Sequence, residues 1–384
     1  MKLADRLSKI PPYLFVELDR LKNKKLEEGV DVIDLGIGDP DLPTPREIVE
    51  VAKSALEKPE NHKYPSNAGS LFFRKACLNY MKKRFGVSFT EDEVLALIGS
   101  KEGIAHLPVA FVNNGDVVLC PEPAYPVYHL GAILTDGEPY YMPLKWENSF
   151  FPEFEKIPEE ILERAKILWL NYPNNPTGAS ATREFFKEVI KFAKKYDLIV
   201  AHDAAYIELY FEKPPISIFE IDEAKSVAIE FHSLSKTFCM TGWRIGFAVG
   251  KKEIISALAK VKSNIDSGVF TAIQEAGAYA LSNFEKLVAP LRNIFKKRRD
   301  VMAKELKNLG YEFKIPEATF YLWVKTPREM KSQEFCKKVL EETGIVVTPG
   351  IGFGNSGEGY FRIALTVEEK RLKEAGKRLS TLKF

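Results

Sequence analysis

The sequence has few cysteines and no long apolar run. Its cysteines, Cys77, Cys120, Cys239 and Cys336, are widely separated and form no C-x-x-C pair, which argues against a disulfide framework or a cysteine zinc site. The five histidines also lack the spacing of zinc ligands, so we predict no metal site. Because residues 1–20 carry charges throughout, they fit neither a secretory signal nor a membrane span. We therefore expect a cytoplasmic protein with reduced thiols.

An excess of charge of either sign is absent as well. The 55 Lys and Arg residues nearly balance the 53 Asp and Glu residues, and no polybasic block occurs. This balance argues against nucleic acid or an anionic membrane as a partner and favours small molecules. Glutamine is also rare, since only Gln274 and Gln333 occur among abundant Lys and Glu. That bias is typical of thermophilic proteins.

The length and the apolar pattern predict an α/β protein with two domains. A chain of 384 residues with 45% hydrophobic content is too large for one ordinary core. From about Val94 onward, short apolar runs alternate with amphipathic stretches, as in parallel strands that are buried on both faces. The predicted strands are residues 94–98, 116–119, 166–170, 198–201, 227–231 and 245–249. Residues 183–196 predict a crossover helix, with Thr182 as its N-cap.

The last third of the sequence has a different, mixed pattern. Long helices are predicted over residues 271–281 and 284–308, with Gly310 as a stop. Two strands and two helices follow, over residues 311–326, 359–366, 333–343 and 367–382 respectively. We predict a large domain over residues 46–285. A smaller α+β domain would combine residues 286–384 with residues 1–45, which include an amino-terminal arm.

Polar side chains follow three successive predicted strands. Asn175 comes after one, Asp203 and Tyr206 after the next, and Lys236 after the third. Strand and helix units recur about every thirty residues in such proteins. Because the carboxyl ends of parallel strands converge on one crevice, we expect these side chains to meet there.

This set of side chains suits the chemistry of pyridoxal phosphate. The amine of Lys236 can bond to the cofactor aldehyde, and the Asp203 carboxylate can keep the ring nitrogen protonated. Tyr206 and Asn175 can donate hydrogen bonds to the ring hydroxyl. The phosphate needs hydroxyls, cationic groups and the free amides of a helix start. We assign these roles to Ser100, Lys101, Ser233, Ser235 and Arg244.

Each motif alone has an ordinary explanation. Asn-Pro-Thr-Gly at residues 175–178 is turn chemistry, and Asp203 could cap a helix. Gly350–Gly354 is rich in glycine but lacks the strand-turn-helix context of a dinucleotide loop, so we interpret it as a flexible surface turn. His202 and His232 are expected near the crevice, without an assigned role. The argument for a site therefore depends on the motifs occurring together and in order.

Together the motifs resemble those of class I/II aminotransferases, which are pyridoxal-phosphate enzymes of fold type I. The similar segments are residues 174–178, 203–206 and 233–246, and the likeness extends over essentially the whole chain. It implies a large domain with a mostly parallel seven-stranded sheet flanked by helices, plus a smaller α+β domain. It also implies that pyridoxal 5'-phosphate is the cofactor, and that Lys236 carries the cofactor and moves the proton.

The resemblance implies further roles along the chain. Tyr125 would stack on the cofactor ring, and Arg362 would bind the substrate α-carboxylate with a bidentate fork. Tyr64 and Asn264 are similar to residues that reach the neighbouring subunit's site, Tyr64 towards the phosphate and Asn264 towards the substrate. Both imply a homodimer with shared sites.

Within the family, residues 11–15, 98–106 and 267–270 most resemble segments of the LL-diaminopimelate aminotransferase branch. In that branch Tyr13 and Phe15 would close over the substrate, and Gly36 would contact its carboxylate. The branch commonly has a glutamate after the interface tyrosine, where this chain has Ser66-Asn67-Ala68. A buried distal ammonium without that partner would lose a few kcal/mol. Alanine, aspartate and glutamate therefore stay open as amino donors beside diaminopimelate.

The predicted activity is ping-pong transfer of an α-amino group to a 2-oxo acid such as 2-oxoglutarate. One alternative is a pyridoxal-phosphate β-lyase of sulfur amino acids, since a carbanion at the same carbon can expel a β leaving group. A second alternative is a cofactor-sensing regulator on this fold. The regulator would need an amino-terminal DNA-binding domain, for which the sequence leaves no room before the catalytic region.

Overall fold

The computed structural model describes residues 3–10 and 15–383, without the side chains of residues 15–18. Its strands are β1 (Ile33–Asp34), β2 (Val94–Leu97), β3 (Val117–Glu122), β4 (Glu138–Pro143), β5 (Ala165–Asn171), β6 (Ile199–Asp203), β7 (Ala228–Ser233), β8 (Gly246–Gly250), β9 (Tyr321–Lys325), β10 (Ile345–Val346), β11 (Thr348–Pro349) and β12 (Tyr360–Ala364). Its α-helices are α1 (Asp5–Ser8), α2 (Phe15–Glu27), α3 (Arg46–Leu56), α4 (Leu71–Phe85), α5 (Ser100–Phe111), α6 (Val127–Leu134), α7 (Glu159–Leu162), α8 (Arg183–Lys195), α9 (Leu234–Thr237), α10 (Lys252–Lys262), α11 (Thr271–Ser282), α12 (Phe284–Asn308), α13 (Ser332–Thr343) and α14 (Glu369–Leu379).

A seven-stranded sheet forms the centre of the molecule, in the order β2-β8-β7-β6-β5-β3-β4. Strand β8 runs antiparallel to both β2 and β7, and the other pairs are parallel. The predicted strands within residues 94–249 are all present, and the α/β fold class is confirmed. Strand β4 was not predicted. It lies at an edge, and its exposed residues, among them Tyr141, give it no continuous apolar run.

Helices cover both faces of this sheet. Successive side chains of a strand point to opposite faces, so each buried strand places apolar residues on both. In β5, Leu168 and Leu170 belong to one core cluster, whereas Ile167 and Trp169 belong to the cluster on the other face. Helix α8 packs on the first face through the fully buried Phe186 and Val189. The Thr182 hydroxyl accepts a hydrogen bond from the Phe185 backbone amide at 3.1 Å, which confirms the predicted N-cap.

A second core cluster lies among the carboxyl-terminal elements and also includes Ile33 and Leu35. Strand β1 pairs in parallel with β10, and a small antiparallel sheet has the order β11-β12-β9. Helix α12 passes from one core to the other, since Leu287 belongs to the first cluster and Phe295 to the second. The division at residues 45/46 and 285/286 stays a prediction.

Two local predictions were wrong. The strand expected over residues 311–326 is reduced to β9, because Pro316 offers no amide hydrogen and Thr319 adopts a left-handed φ of 70°. Residues Gly350–Phe353 form a short 3₁₀ helix instead of a flexible surface turn. Gly350 and Phe353 are buried there, and a Cβ on Gly350 would lie 1.9 Å from the Gly357 carbonyl oxygen.

All four cysteines are free and buried. Within residues 3–10 and 15–383, no helix combines the length and the apolar character that a membrane crossing requires.

Candidate active site

A cavity of about 470 Å³ opens at the carboxyl ends of β5, β6 and β7. All predicted cofactor residues except Tyr64 line it: Ser100, Lys101, Tyr125, Asn175, Asp203, Tyr206, Ser233, Ser235, Lys236 and Arg244. Of the predicted substrate residues, Gly36 and Arg362 line it together with Asn175. The structure therefore brings together residues that are spread over most of the sequence.

Lys236 lies in the short helix α9, directly after β7. The Ser233 hydroxyl caps this helix by accepting a hydrogen bond from the Ser235 amide. The Lys236 Nζ donates to the Gly38 carbonyl oxygen at 2.8 Å. Burial lowers the pKa of Lys236 to about 8, helped by the charges of Arg362 and Arg244 and opposed by Asp39. The neutral, nucleophilic form of this amine is therefore far more populated near neutral pH than in an ordinary lysine.

Asp203 ends β6 with a buried carboxylate. Its Oδ2 accepts a hydrogen bond from the Tyr128 hydroxyl at 2.8 Å, and its Oδ1 accepts one from the Ala205 amide at 3.1 Å. Burial raises the pKa of Asp203, while these two donors and the charges of His202 and His232 oppose the rise. The carboxylate is thus fixed in direction and suited to a cationic partner.

Tyr128 and Asn171 also line the cavity, although the sequence analysis gave neither a role. Asn171 ends β5, where its Nδ2 donates to the Asp203 backbone carbonyl at 2.8 Å and its Oδ1 accepts from the Asn175 amide at 2.8 Å. It therefore joins the ends of two strands. Asn171 is the polar residue at the end of a predicted strand, and this position could have identified it from the sequence. Tyr128 could have been identified because it occurs in the same motif as Tyr125.

Tyr321 is another residue that the sequence analysis missed. Its hydroxyl lies 3.0 Å from that of Tyr206, and burial raises the pKa of both phenols. A Cβ placed on Gly38 would lie 2.0 Å from the Tyr321 hydroxyl oxygen, so glycine is required at that position. Tyr321 comes from β9, far along the chain from the motifs, and no local pattern marks it.

Arg362 in β12 is buried, and its guanidinium is held on two sides. Its Nη1 donates to Asn175 Oδ1 at 2.8 Å, and its Nη2 donates to the Gly36 carbonyl oxygen at 2.7 Å. The group also lies over the rings of Tyr321 and Phe353. Its Nε is buried and has no hydrogen-bond partner among the described residues. A fixed, buried cation of this kind suits a carboxylate ligand.

The opposite end of the cavity is formed by the start of α5 and by Arg244. Gly99 precedes the helix with φ +75°, and a Cβ there would lie 2.5 Å from Arg244 Nη2. Arg244 itself donates through Nη1 to the Thr241 carbonyl oxygen at 2.7 Å. The Lys101 Nζ lies 5.8 Å from the centre of the Tyr125 ring. The free amides of a helix start and two cationic side chains make this end suitable for an anion.

Tyr64 and Asn264 do not line the cavity of this chain. Tyr64 is 90% exposed. Asn264 lies at the surface, where its Nδ2 donates to the Lys260 carbonyl oxygen at 2.8 Å. Both were predicted to reach a neighbouring subunit, and a single chain does not test that prediction. Tyr13 lies outside the described residues, and Phe15 begins α2 without a described side chain.

His202 and His232 meet at a buried glutamate behind the cavity. The His202 Nδ1 lies 2.9 Å from Glu230 Oε2, and the His232 Nε2 lies 2.8 Å from Glu230 Oε1. The Ser217 hydroxyl and the Ile218 amide also donate to this carboxylate. Burial raises the pKa of Glu230, but the two histidines outweigh it and hold the pKa well below its ordinary range. This cluster ties β6 to β7 beneath Asp203 and Lys236.

Comparison with known proteins identifies the family. Residues 30–379 match the family model described as aminotransferase class I and II, and the chain belongs to that family. The LL-diaminopimelate aminotransferase of Aquifex aeolicus is 56% identical over 386 residues, with 100% of both chains covered. That of Maridesulfovibrio salexigens is 53% identical, with 99% of each chain covered.

Solved structures agree with this assignment. Substrate-bound BacF from Bacillus subtilis superimposes with a TM-score of 0.96 at 37% identity, over 100% of this chain and 99% of that one. A double mutant of Thermus thermophilus aspartate aminotransferase gives a TM-score of 0.94 at 28% identity, over 99% of both chains. The predicted aminotransferase family, fold type and enzyme class are confirmed, and family membership implies the use of pyridoxal phosphate. The alternatives of an alanine or aspartate aminotransferase and of a β-lyase are not favoured.

Proposed function

We propose that this aminotransferase transfers the α-amino group of LL-diaminopimelate to a 2-oxo acid, with 2-oxoglutarate as the acceptor. The observation that carries the proposal is the presence of Lys236, Asp203 and Arg362 in one cavity. The names of the relatives from Aquifex aeolicus and Maridesulfovibrio salexigens support the choice of donor. Residence in the cytoplasm and a thermophilic source stay predictions from the sequence alone.

The cavity fits pyridoxal 5'-phosphate in its charges and donors. The phosphate would be held by Arg244, Ser100, Lys101, Ser233 and Ser235. Gly99 leaves room there for the Arg244 guanidinium. Tyr125 would stack on the ring. Asp203 would pair with the ring nitrogen, while Asn175 and Tyr206 would face the ring hydroxyl. Lys236 would carry the cofactor covalently through its amine.

When bound, pyridoxal phosphate accepts the amino group of the donor and withdraws the electrons that are released when the α C–H bond breaks. The protein supplies the remaining functions. Arg362 would bind the α-carboxylate and thereby direct the α-carbon towards Lys236, whose neutral amine would take the α-proton and deliver it to the carbon that was the cofactor aldehyde. Asp203, oriented by Tyr128, keeps its negative charge next to the ring nitrogen.

The direct test is replacement of the lysine. Lys236→Ala should lose turnover and also the borohydride-stable adduct with pyridoxal phosphate, which mass spectrometry detects on the Lys236 peptide of the unaltered protein. Lys260→Ala, at an exposed position, should keep both. Retention of both the adduct and turnover in Lys236→Ala would contradict the proposal.

The donor is tested separately with a panel of amino acids against 2-oxoglutarate. LL-diaminopimelate should give the highest kcat/KM, above alanine, aspartate and glutamate. With donor alone, the visible absorbance of the bound cofactor should bleach, as a transaminase requires. A β-lyase would instead release pyruvate from cystathionine without any acceptor.

We further propose that the protein is a homodimer whose subunits share their sites through Tyr64 and Asn264. Large exposed apolar side chains accompany Tyr64 in two neighbouring segments, and a second copy would cover them. These side chains are Leu71, Phe72, Ile265 and Phe270. Mixing inactive Tyr64→Ala and Lys236→Ala subunits should restore activity, because the hybrid contains one complete site. A mixture that exchanges subunits and stays inactive would count against shared sites.

A further inference from the structure

A buried lysine outside the cavity connects two parts of the chain that the proposed mechanism uses. Lys262, at the end of α10, has no solvent exposure. Its Nζ donates to Glu102 Oε2 at 3.1 Å and to the two Asp266 oxygens at 2.7 and 2.9 Å. None of these three residues lines the cavity. A buried ammonium between two carboxylates holds both in fixed positions.

One end of this network reaches the phosphate end of the cavity. Glu102 lies in the first turn of α5, and its Oε2 also accepts a hydrogen bond from the Ile98 amide at 2.6 Å. That bond closes the turn at Gly99, which packs against the Arg244 guanidinium. The position of Glu102 therefore sets the position of the free amides that begin α5.

The other end reaches the segments that carry Tyr64 and Asn264. Asp266 Oδ1 accepts a hydrogen bond from the Gly268 amide at 2.7 Å. Gly268 packs so closely that a Cβ on it would lie 2.8 Å from the Ser66 carbonyl oxygen. The loop after Asn264 thus fixes the loop after Tyr64.

A second contact holds the same two segments together. The buried Gln274 accepts a hydrogen bond from the Ser70 amide at 2.7 Å and donates one to the Val269 carbonyl oxygen at 2.6 Å. Residues 64–70 and 264–269 therefore behave as one unit, which we term the exchange segment. Lys262 is the ionic connection between the exchange segment and the phosphate end of the same chain.

We propose that Lys262 is a positioning residue that couples cofactor binding to subunit assembly. The inference rests on the proposed function, in which pyridoxal phosphate binds to a homodimer with shared sites. When a phosphate fixes the start of α5, it also fixes Glu102. Through Lys262, Glu102 then holds Asp266, and Asp266 holds the exchange segment, which contacts the partner subunit. By thermodynamic reciprocity, assembly of the dimer strengthens cofactor binding by the same factor.

Lys262→Met tests this coupling, because it removes the ammonium and leaves two carboxylates that repel each other. Lys260→Met is the matched control, on the same helix but exposed. The dimer dissociation constant is measured by analytical ultracentrifugation with and without pyridoxal phosphate, and cofactor affinity by absorbance titration of the apoprotein. Pyridoxal phosphate should lower the dimer dissociation constant of the control. The ratio of the dissociation constants without and with the cofactor is the coupling factor, and it should be about tenfold smaller in Lys262→Met.

An unchanged coupling factor in folded Lys262→Met would overturn the inference, even if its melting temperature falls, because a purely structural role lowers stability alone. Should Lys262→Met not fold, Asp266→Asn carries the same test, since it removes the charge and keeps an oxygen for the Gly268 amide. A protein that binds no pyridoxal phosphate at all contradicts the proposed function. If the protein binds pyridoxal phosphate and the coupling factor is the same in all variants, only the role of Lys262 is contradicted.

Discussion

Tyr128 donates a hydrogen bond of 2.8 Å to the buried carboxylate of Asp203. The donor comes from α6 and the acceptor from the end of β6, so the contact joins two elements on one side of the cavity. Tyr128 also stacks on Trp169, with ring centres 5.1 Å apart, and this stacking fixes the direction of its hydroxyl. This rigidly held donor therefore stabilises the charged form of the buried Asp203 carboxylate.

Tyr128→Phe should weaken the cofactor site without changing its shape. A hydrogen bond to a charged group contributes about 1.5–3 kcal/mol, and its loss further raises the pKa of Asp203. We expect cofactor affinity and kcat to fall roughly ten- to a hundredfold. Absorbance titration of the apoprotein and steady-state kinetics measure the two quantities. Tyr141→Phe, at the exposed edge strand, is the control, and equal behaviour of the two variants would refute the role of Tyr128.

The reactivity of Lys236 should depend on pH with a midpoint of about 8 in the apoprotein. Below that pH the amine is a protonated, unreactive ammonium, and above it the neutral amine predominates. An ordinary lysine becomes neutral only near pH 10.4. Labelling with trinitrobenzenesulfonate from pH 6 to 11, followed by mass spectrometry of the Lys236 peptide, gives the midpoint. A midpoint above pH 10 would be inconsistent with the buried environment of this amine.

Arg362→Lys should raise KM for both the amino donor and the 2-oxo acid, because each carries a carboxylate. A lysine has one ammonium and reproduces neither the fork nor the paired contacts to Asn175 and Gly36. We expect an increase of roughly ten- to a hundredfold in KM and a smaller effect on kcat. Arg371→Lys loses a comparable fork, to Asp31 at the surface, and should leave KM unchanged. Equal KM values in the two variants would argue against Arg362 as the carboxylate ligand.

The sequence predicted the central sheet well because most of its strands are buried on both faces. Continuous apolar runs such as those of β5 and β7 are readable without any tertiary information. Strand β4 escaped prediction since its pairing with β3, and not its composition, keeps it extended. In residues 311–326, the apolar and aromatic residues suggested one long strand, but the left-handed φ of Thr319 interrupts the extended conformation before β9.

In the candidate site, the residues that could be assigned from the sequence are those that lie within local motifs. Tyr321 could not be assigned, because its contact to Tyr206 joins residues 115 positions apart. The cluster at Glu230 was missed for a similar reason, since three elements supply its donors. Tyr64 and Asn264 depend on a second chain, so their roles stay predictions.

The bond from Arg362 to the Gly36 carbonyl spans 326 positions of the chain. During synthesis on a ribosome, which proceeds from the amino terminus, Lys236, Asp203 and Arg244 emerge well before β12 exists. These cavity residues are therefore translated before Arg362, the residue of β12 that completes the cavity lining. Gly36 therefore waits for its Arg362 partner until nearly the whole chain has been made.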